Sequence, residues 1–131
     1  DMIVTIDFDG TLSRNDVQEY AKELIDRGVD VWVLTSRYDN LHKHLWGPNP
    51  SNVDLYAVLD IVGIPYWKVV FLNMYSKHDY LDNTFVVWHL DDDKETLDEI
   101  NYYSKYTGIK GISVDDANWR KKCDKTLIKH S

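Results

Sequence analysis

Two groups of aspartates in this sequence each follow an apolar run. Asp7 and Asp9 come after IVTI, and Asp91 and Asp92 come after VVWHL. If the fold brings the groups together, two charges about 4 Å apart repel by roughly 4 kcal/mol at an effective dielectric of 20. Such a cluster requires a bound cation or protonation. Because its ligands are all oxygens, with no cysteine nearby, it favours a hard cation, and Mg²⁺ is the usual one beside phosphate.

A hydroxyl group and an ammonium group accompany the aspartates. Thr35, Ser36 and Arg37 follow another apolar run, and Lys77 lies between the two aspartate groups along the chain. A carboxylate nucleophile, a metal that draws electrons from phosphorus and a lysine that offsets charge are the components of phosphoryl transfer. The sequence therefore predicts a phosphoryl-transfer site, provided that the fold brings these segments together.

Strands and helices alternate along the chain and must position these residues. Periodicity and turn residues predict strands at 3–8, 29–34, 69–72, 84–90 and 109–114. They predict helices at 16–27, 52–62 and 94–106, the second capped by Ser51 or Asn52 and the third by Asp93. Alternating elements with continuously apolar strands indicate a parallel sheet covered on both faces. Ligands of such sheets bind beyond the carboxyl ends of the strands, where these polar residues lie.

The length and composition are those of one domain. The chain has 131 residues and a single cysteine, Cys123, so no intrachain disulfide is expected. Residues 119–131 form a basic C-terminal tail, expected to be helical with Trp119, Cys123 and Leu127 on its apolar side. No apolar run approaches the roughly 20 residues that span a bilayer, and we expect a cytoplasmic protein without a membrane partner. The formal net charge of −7 disfavours binding to nucleic acid.

Four motifs resemble those of the haloacid dehalogenase (HAD) superfamily of hydrolases. DFDGTL at 7–12 is similar to its first motif, and VWVLTSR at 31–37 to its second. Lys77 matches the lysine of the third motif, and Asp91-Asp92 matches the acidic fourth. The resemblance implies a HAD-like α/β fold: a Rossmann-like three-layer sandwich with a central parallel sheet of about five strands and no cap domain. It implies the small, capless phosphatase type.

The resemblance also implies a role for each matching residue. Asp7 would attack phosphorus and form an aspartyl-phosphate, while Asp9 would protonate the leaving oxygen and then activate water. Thr35 would hold a phosphate oxygen, and Lys77 would offset the charge of Asp7 and of the phosphate. The other substrate-binding positions are Gly10, Thr11, Ser36 and Arg37.

The metal site that the resemblance implies contains Mg²⁺. Its ligands would be the carboxylate of Asp7, the backbone carbonyl of Asp9 and one carboxylate of the pair Asp91 and Asp92. The second member of that pair usually faces the metal in the family, which favours Asp92. The lysine has an alternative as well, because Lys68 in PYWKVVF competes with Lys77 in NMYSKHDYL.

The substrate is expected to be a phosphorylated compound, either a small molecule or a macromolecule. Only Ser13 to Asn15 separate the first motif from the first helix, which leaves no room for a cap. The irregular stretch 38–51 is expected to act as a partial lid, with Tyr38 and Trp46 as substrate contacts. In a homo-oligomer, a second subunit could also complete the pocket.

Two other functions stay open on the sequence alone. One is a non-catalytic HAD-like binding module, and the other is a metal-dependent nuclease with an acidic cluster. A receiver domain of a response regulator is disfavoured, because its phospho-accepting aspartate follows the third strand, whereas the third strand here ends at Leu72-Asn73.

Overall fold

A five-stranded sheet forms the centre of the protein in the computed structural model, which describes residues 1–131. Its strands are β1 (Ile3–Ile6), β2 (Asp30–Thr35), β3 (Val69–Phe71), β4 (Val86–Asp91) and β5 (Lys110–Ser113). They lie in the order β3-β2-β1-β4-β5, and every neighbouring pair is parallel. The predicted α/β class and five-stranded parallel sheet are confirmed.

Helices cover both faces of the sheet. They are α1 (Asn15–Asp26), α2 (Val53–Val62), α3 (Lys77–Leu81), α4 (Lys94–Tyr102), α5 (Ser104–Thr107) and α6 (Trp119–Lys129), with single helical turns at Lys43–Leu45 and Tyr66–Lys68. The larger apolar core lies between the sheet and α1, α2 and α6. A smaller core lies on the other face under α3 and α4. The arrangement is a Rossmann-like sandwich.

The strand order reverses between β1 and β4. The chain runs from β1 outward through β2 to β3, and then returns to form β4 on the other side of β1. In open α/β sheets, the crevice beyond the carboxyl ends at such a switch point is the usual ligand site. Asp7 directly follows β1 and Asp91 ends β4, so the two aspartate groups meet at this crevice.

Several predicted boundaries differ from the structure. The predicted strand 3–8 ends at Ile6, because the chain turns at once into the segment Phe8–Leu12. The predicted helix 94–106 is broken at Tyr103, whose backbone is not helical. The break accompanies stacking of the Tyr103 ring on His78 at 4.3 Å between centroids. Helix α3, capped by Ser76, was not predicted, because its five residues are too few to show a period.

The C-terminal helix α6 belongs to the core. Trp119, Cys123 and Leu127 are buried, as the sequence predicts for its apolar side. The indole N–H of Trp88 in β4 donates to the carbonyl of Cys123 at 3.1 Å, and this bond joins the helix to the sheet. None of the helices combines the length and the apolar character that crossing a bilayer requires.

Candidate active site

The turn after β1 leaves the side chain of Asp7 buried at the switch point, where it is 8% exposed. The Leu12 amide donates to the Asp7 carbonyl at 3.0 Å, which closes the turn. Within the turn, Asp9 has extended backbone and Gly10 has φ 75°, in the left-handed region that favours glycine. The buried hydroxyl of Thr11 donates to Asp7 Oδ2 at 3.0 Å. The motif thus orients the side chain of Asp7 through its own turn.

Lys77 places its ammonium group between two carboxylates. This first residue of α3 donates from Nζ to Asp7 Oδ1 at 2.7 Å and to Asp91 Oδ2 at 2.7 Å. Lys77 is only 6% exposed. Lys68 lies elsewhere, with its Nζ 2.8 Å from Asp30 Oδ1 at the amino end of β2. Of the two candidate lysines, the fold brings Lys77 to the aspartates.

Asp91 is held by donors from several directions. Besides Lys77, it accepts from the Asp93 amide at 3.0 Å, and its Oδ2 lies 2.7 Å from His89 Nε2. His89 is fully buried, and its Nδ1 lies 2.8 Å from the Thr5 hydroxyl. Burial lowers the pKa of His89, so its ring is neutral and donates to Asp91 from Nε2. Asp91 therefore belongs to a buried polar row that fixes Lys77.

Asp92 is the exposed carboxylate of the cluster. One oxygen from each of Asp7, Asp91 and Asp92 lies within 4.8 Å of the other two. Gly10 permits this approach, since a Cβ there would lie 2.1 Å from Asp92 Oδ2. The glycine of the first motif thus makes room for the second acidic group.

The cluster carries more negative charge than its one ammonium group neutralises. Burial raises the pKa of Asp7 to about 8, with Lys77 opposing this shift and Asp91 adding to it. Burial alone would raise the pKa of Asp91 as well. His89 and Lys77 outweigh this effect and hold the pKa of that carboxyl well below its usual range. Burial and the charge of Asp91 also raise the pKa of Asp92. A bound cation would relieve this repulsion.

Substituting Gly10 by alanine should displace Asp92. The left-handed backbone costs an alanine about 1–2 kcal/mol, and the new Cβ would overlap Asp92 Oδ2 as well. Gly28→Ala is the matched control, because its φ is +82° and nothing lies within 4 Å of a Cβ there. Both variants should lose similar stability in urea unfolding. If Mg²⁺ raises the melting temperature of the wild type, Gly10→Ala should lose that rise and Gly28→Ala should keep it, and equal Mg²⁺ responses of the two variants would contradict the contact.

Asp9 lies on the outer side of the turn, where Arg37 holds it. Arg37 donates from Nε and Nη2 to the two Asp9 oxygens at 2.9 and 2.7 Å. Its Nη1 and Nη2 also donate to Asp54 of α2 at 2.8 and 2.9 Å. The hydrogen bonds that Arg37 donates to Asp54 and Asp9 raise the pKa of Arg37, which stays charged. The sequence predicts Arg37 at the substrate, and the structure directs its N–H groups to these carboxylates.

A cleft of about 460 Å³ opens beside this ion pair. It is lined by Arg37, Trp46, Asp54 and residues 47–51. The guanidinium of Arg37 lies over two aromatic rings, 4.8 Å from the centroid of Phe8 and 5.1 Å from that of Trp46. Part of the stretch 38–51 thus forms a wall of the cleft, and its action as a lid stays a prediction.

Thr35 and Ser36 lie at the carboxyl edge of the sheet, close to the position of Asp7. Thr35 ends β2, the neighbour of β1, and is buried, while Ser36 is half-buried. Thr35 Oγ1 accepts the Arg37 amide at 3.2 Å. The fold therefore brings the predicted hydroxyl to the same edge as Asp7, and phosphate binding by either residue stays a prediction.

Three polar residues of the site have roles that sequence reasoning missed. His89 supports Asp91, and Asp54 shares Arg37 with Asp9. Of the two predicted caps of α2, Ser51 accepts the Val53 amide on its Oγ at 3.2 Å, whereas Asn52, at the N-cap position, makes no cap bond and donates from its side-chain amide to the Tyr38 carbonyl at 3.1 Å. Only His89 had a sequence signal, because alternate residues of a strand face the same side and His89 lies two positions before Asp91.

Comparison of the chain with protein-family models, curated proteins and solved structures found no match. The cluster around Asp7, the Asp9–Arg37–Asp54 arrangement and the adjacent cleft are therefore the features from which function is inferred. Each of them lies at or beside the carboxyl edge of the sheet.

Proposed function

We propose that this chain is a Mg²⁺-dependent phosphatase of the HAD type, without a cap, that hydrolyses a phosphate monoester through an aspartyl-phosphate on Asp7. The proposal rests on the cluster at the switch point. Oxygens of three carboxylates lie within 4.8 Å of one another, and one buried ammonium group bonds to two of them. Phosphoryl transfer requires a nucleophile, a cation and groups that offset charge, and this cluster provides for all three.

The donor set suits Mg²⁺, since every available ligand atom is a carboxylate or carbonyl oxygen. Asp91 is engaged by His89 and Lys77, whereas Asp92 is exposed and adjacent to Asp7. We therefore assign the carboxylates of Asp7 and Asp92, with the carbonyl of Asp9, as the ligands, and Asp91 as the anchor of Lys77. Bound there, Mg²⁺ would neutralise the cluster and make phosphorus more susceptible to attack.

In the first half-reaction, an oxygen of Asp7 attacks phosphorus and the bond to the leaving oxygen breaks. Asp9 gives its proton to that oxygen, so the leaving group departs as a neutral alcohol. Lys77 and Thr35 offset the charge on the phosphoryl oxygens. In the second half-reaction, water attacks the phosphorus of the aspartyl-phosphate and gives a proton to Asp9. The bond between phosphorus and Asp7 then breaks, which releases inorganic phosphate and restores both carboxyl groups.

Arg37 positions Asp9 in this cycle. Both oxygens of Asp9 accept from Arg37, so one of them has to turn away from the guanidinium to reach the leaving oxygen. Because Arg37 also bonds to Asp54, it keeps its place while Asp9 turns.

Metal dependence tests the proposal directly. The purified protein should hydrolyse 4-nitrophenyl phosphate with Mg²⁺ and stop when EDTA is added. Asp92→Asn should raise the Mg²⁺ concentration for half-maximal rate at least about tenfold, because it removes a charged ligand. Asp91→Asn should mainly lower the free energy of unfolding, by about 1–3 kcal/mol, because buried donors lose their acceptor.

Asp93→Asn, at the next and exposed position, is the matched control and should leave the Mg²⁺ requirement unchanged. Turnover that survives EDTA would contradict the metal site. A larger Mg²⁺ shift in Asp91→Asn than in Asp92→Asn would exchange the two roles. Mg²⁺ binding without hydrolysis of any phosphate ester would identify a binding module instead.

A further inference from the structure

The cleft beside Arg37 adjoins the acid of the proposed reaction. Arg37 lines this cleft and also holds both oxygens of Asp9. In the proposed function, on which this inference rests, Asp9 protonates the leaving oxygen of the substrate. The part of the substrate attached to that oxygen must therefore lie on the Asp9 side of the site. The cleft is the space that the fold provides there.

The charges around the cleft disfavour an anionic occupant. Asp9 and Asp54 both bond to Arg37, so two carboxylates share one guanidinium. Nη1 and Nη2 each donate to a carboxylate, and Nη1 lies 3.4 Å from Asn52 Oδ1 as well. Every N–H nitrogen of Arg37 thus already donates to a carboxylate, so none is reserved for a second phosphate or carboxylate of the substrate. Asp54 keeps its negative charge when Asp9 carries the proton that the acid step requires, because the hydrogen bond from Arg37 lowers the pKa of Asp54.

The walls of the cleft suit a flat ring. Trp46 is 40% exposed and lines the cleft while Arg37 lies over its ring at 5.1 Å. Pro48 and Pro50 add further apolar surface, and Asn49 and Ser51 add neutral polar groups. The volume of about 460 Å³ is large enough to hold one ring-sized group. A ring that stacks on an aromatic side chain is stabilised beyond the effect of the apolar area it buries.

We infer that this cleft binds the leaving group and selects monophosphate esters of uncharged alcohols that carry a flat ring. Trp46 is the residue that favours the ring, and Asp54 is the residue that disfavours negative charge. Esters with a second phosphate or with a carboxylate on the leaving group are poor substrates, and so are esters of small aliphatic alcohols.

Three substrates separate these effects: benzyl phosphate, 4-carboxybenzyl phosphate and ethyl phosphate. All are esters of primary alcohols, so their leaving groups are chemically similar. With Mg²⁺, kcat/KM for benzyl phosphate should exceed that for ethyl phosphate by about tenfold, from stacking and burial of the ring. The kcat/KM for benzyl phosphate should also exceed the kcat/KM for 4-carboxybenzyl phosphate by about tenfold, because carboxylates of the protein repel the carboxylate of that substrate.

Two variants assign these preferences to residues. Trp46→Ala should abolish most of the benzyl-over-ethyl ratio. Asp54→Asn removes one negative charge, and should therefore reduce the benzyl-over-carboxybenzyl ratio several-fold. A merely structural defect would lower the rates for all three substrates and leave these ratios unchanged. Trp67→Ala is the control, because Trp67 is 69% exposed at the entry to β3 and away from the cleft.

The outcomes separate this inference from the proposed function. Two outcomes would overturn the assignment of the cleft and leave the proposed phosphatase activity intact. The first is equal kcat/KM for all three esters, and the second is that the two substrate ratios stay unchanged in both Trp46→Ala and Asp54→Asn. Hydrolysis of 4-nitrophenyl phosphate but of none of the three esters would overturn the assignment of the cleft alone, and absence of hydrolysis of all four would overturn both. A wild-type preference for 4-carboxybenzyl phosphate would reverse the assigned charge selection.

Discussion

Asp7→Asn is expected to lower kcat for phosphate-ester hydrolysis by at least about 10⁴-fold, because an amide cannot form the aspartyl-phosphate. Asp91 cannot substitute for it, since that carboxylate is buried and engaged by His89 and Lys77. The fold should persist, because the variant removes a carboxylate that burial disfavours. The rate with Mg²⁺ measures the effect. Beryllofluoride, an acyl-phosphate mimic, should bind to the wild type and not to the variant.

Asp26→Asn, at an exposed position of α1, is the matched control and should have the wild-type rate. Mass spectrometry of protein trapped during turnover should locate the phosphoryl group on Asp7. A label on any other aspartate would assign a different nucleophile, and substantial turnover by Asp7→Asn would show that no aspartyl-phosphate at this position is needed.

The same variant should change the pH dependence of stability in EDTA. Burial raises the pKa of Asp7 from 3.8 to about 8, so the folded protein binds this proton more tightly than the unfolded chain. The stability that Asp7 contributes is therefore complete below about pH 4 and is lost as the pH rises toward 8. The free energy of unfolding of the wild type minus that of Asp7→Asn should fall by up to about 1.4 kcal/mol per pH unit in this window. Urea titrations at several pH values measure it.

Lys77→Met should cause the largest loss of stability among single changes at the site. The substitution keeps the length of the side chain but leaves two buried carboxylates without their shared ammonium group. Removing one partner of a buried ion pair typically costs about 3–5 kcal/mol. We expect the lower end of that range, because burial already favours the neutral form of Asp7. Activity should fall as well, since the proposed mechanism has Lys77 offset the charge of the phosphate.

Lys68→Met is the matched control and also decides between the two candidate lysines. Its bond to Asp30 joins side chains that are 23% and 29% exposed, so its loss should cost less than about 1 kcal/mol and leave kcat unchanged. Urea unfolding and initial rates of the two variants provide the comparison. A larger defect in Lys68→Met than in Lys77→Met would contradict the proposed arrangement.

The sheet and the positions of the acidic groups could be predicted because their signals are local. Continuous apolar character marks a strand that is buried on both faces, and all six residues of β4 are buried. Polar residues directly after such strands have to lie at the carboxyl edge. That rule places Asp7, Thr35 and Asp91 without any knowledge of their contacts. The strand order then brings β1 and β4 together.

Other contacts at and near the site join residues that are far apart along the chain, and the local sequence pattern did not indicate them. Arg37 follows β2, and its local sequence does not show that a partner 17 residues later, Asp54, holds it beside Asp9. Tyr103 interrupts a helix whose local pattern continues, and its ring stacks on His78 of α3. Long-range contacts of this kind override local propensity.

The central position of β1 determines when the site can first exist during folding. Ile3 pairs with Asp30 on one side and with Val86 on the other, and the bonded residues Lys77 and Asp7 are 70 positions apart. Closing so long a loop is entropically costly, and contacts of high sequence separation slow folding. A nascent chain that has emerged only as far as β3 therefore contains Asp7 without Lys77 or Asp91. The cluster around Asp7 can form only when β4 pairs with β1, well after the first helices can form.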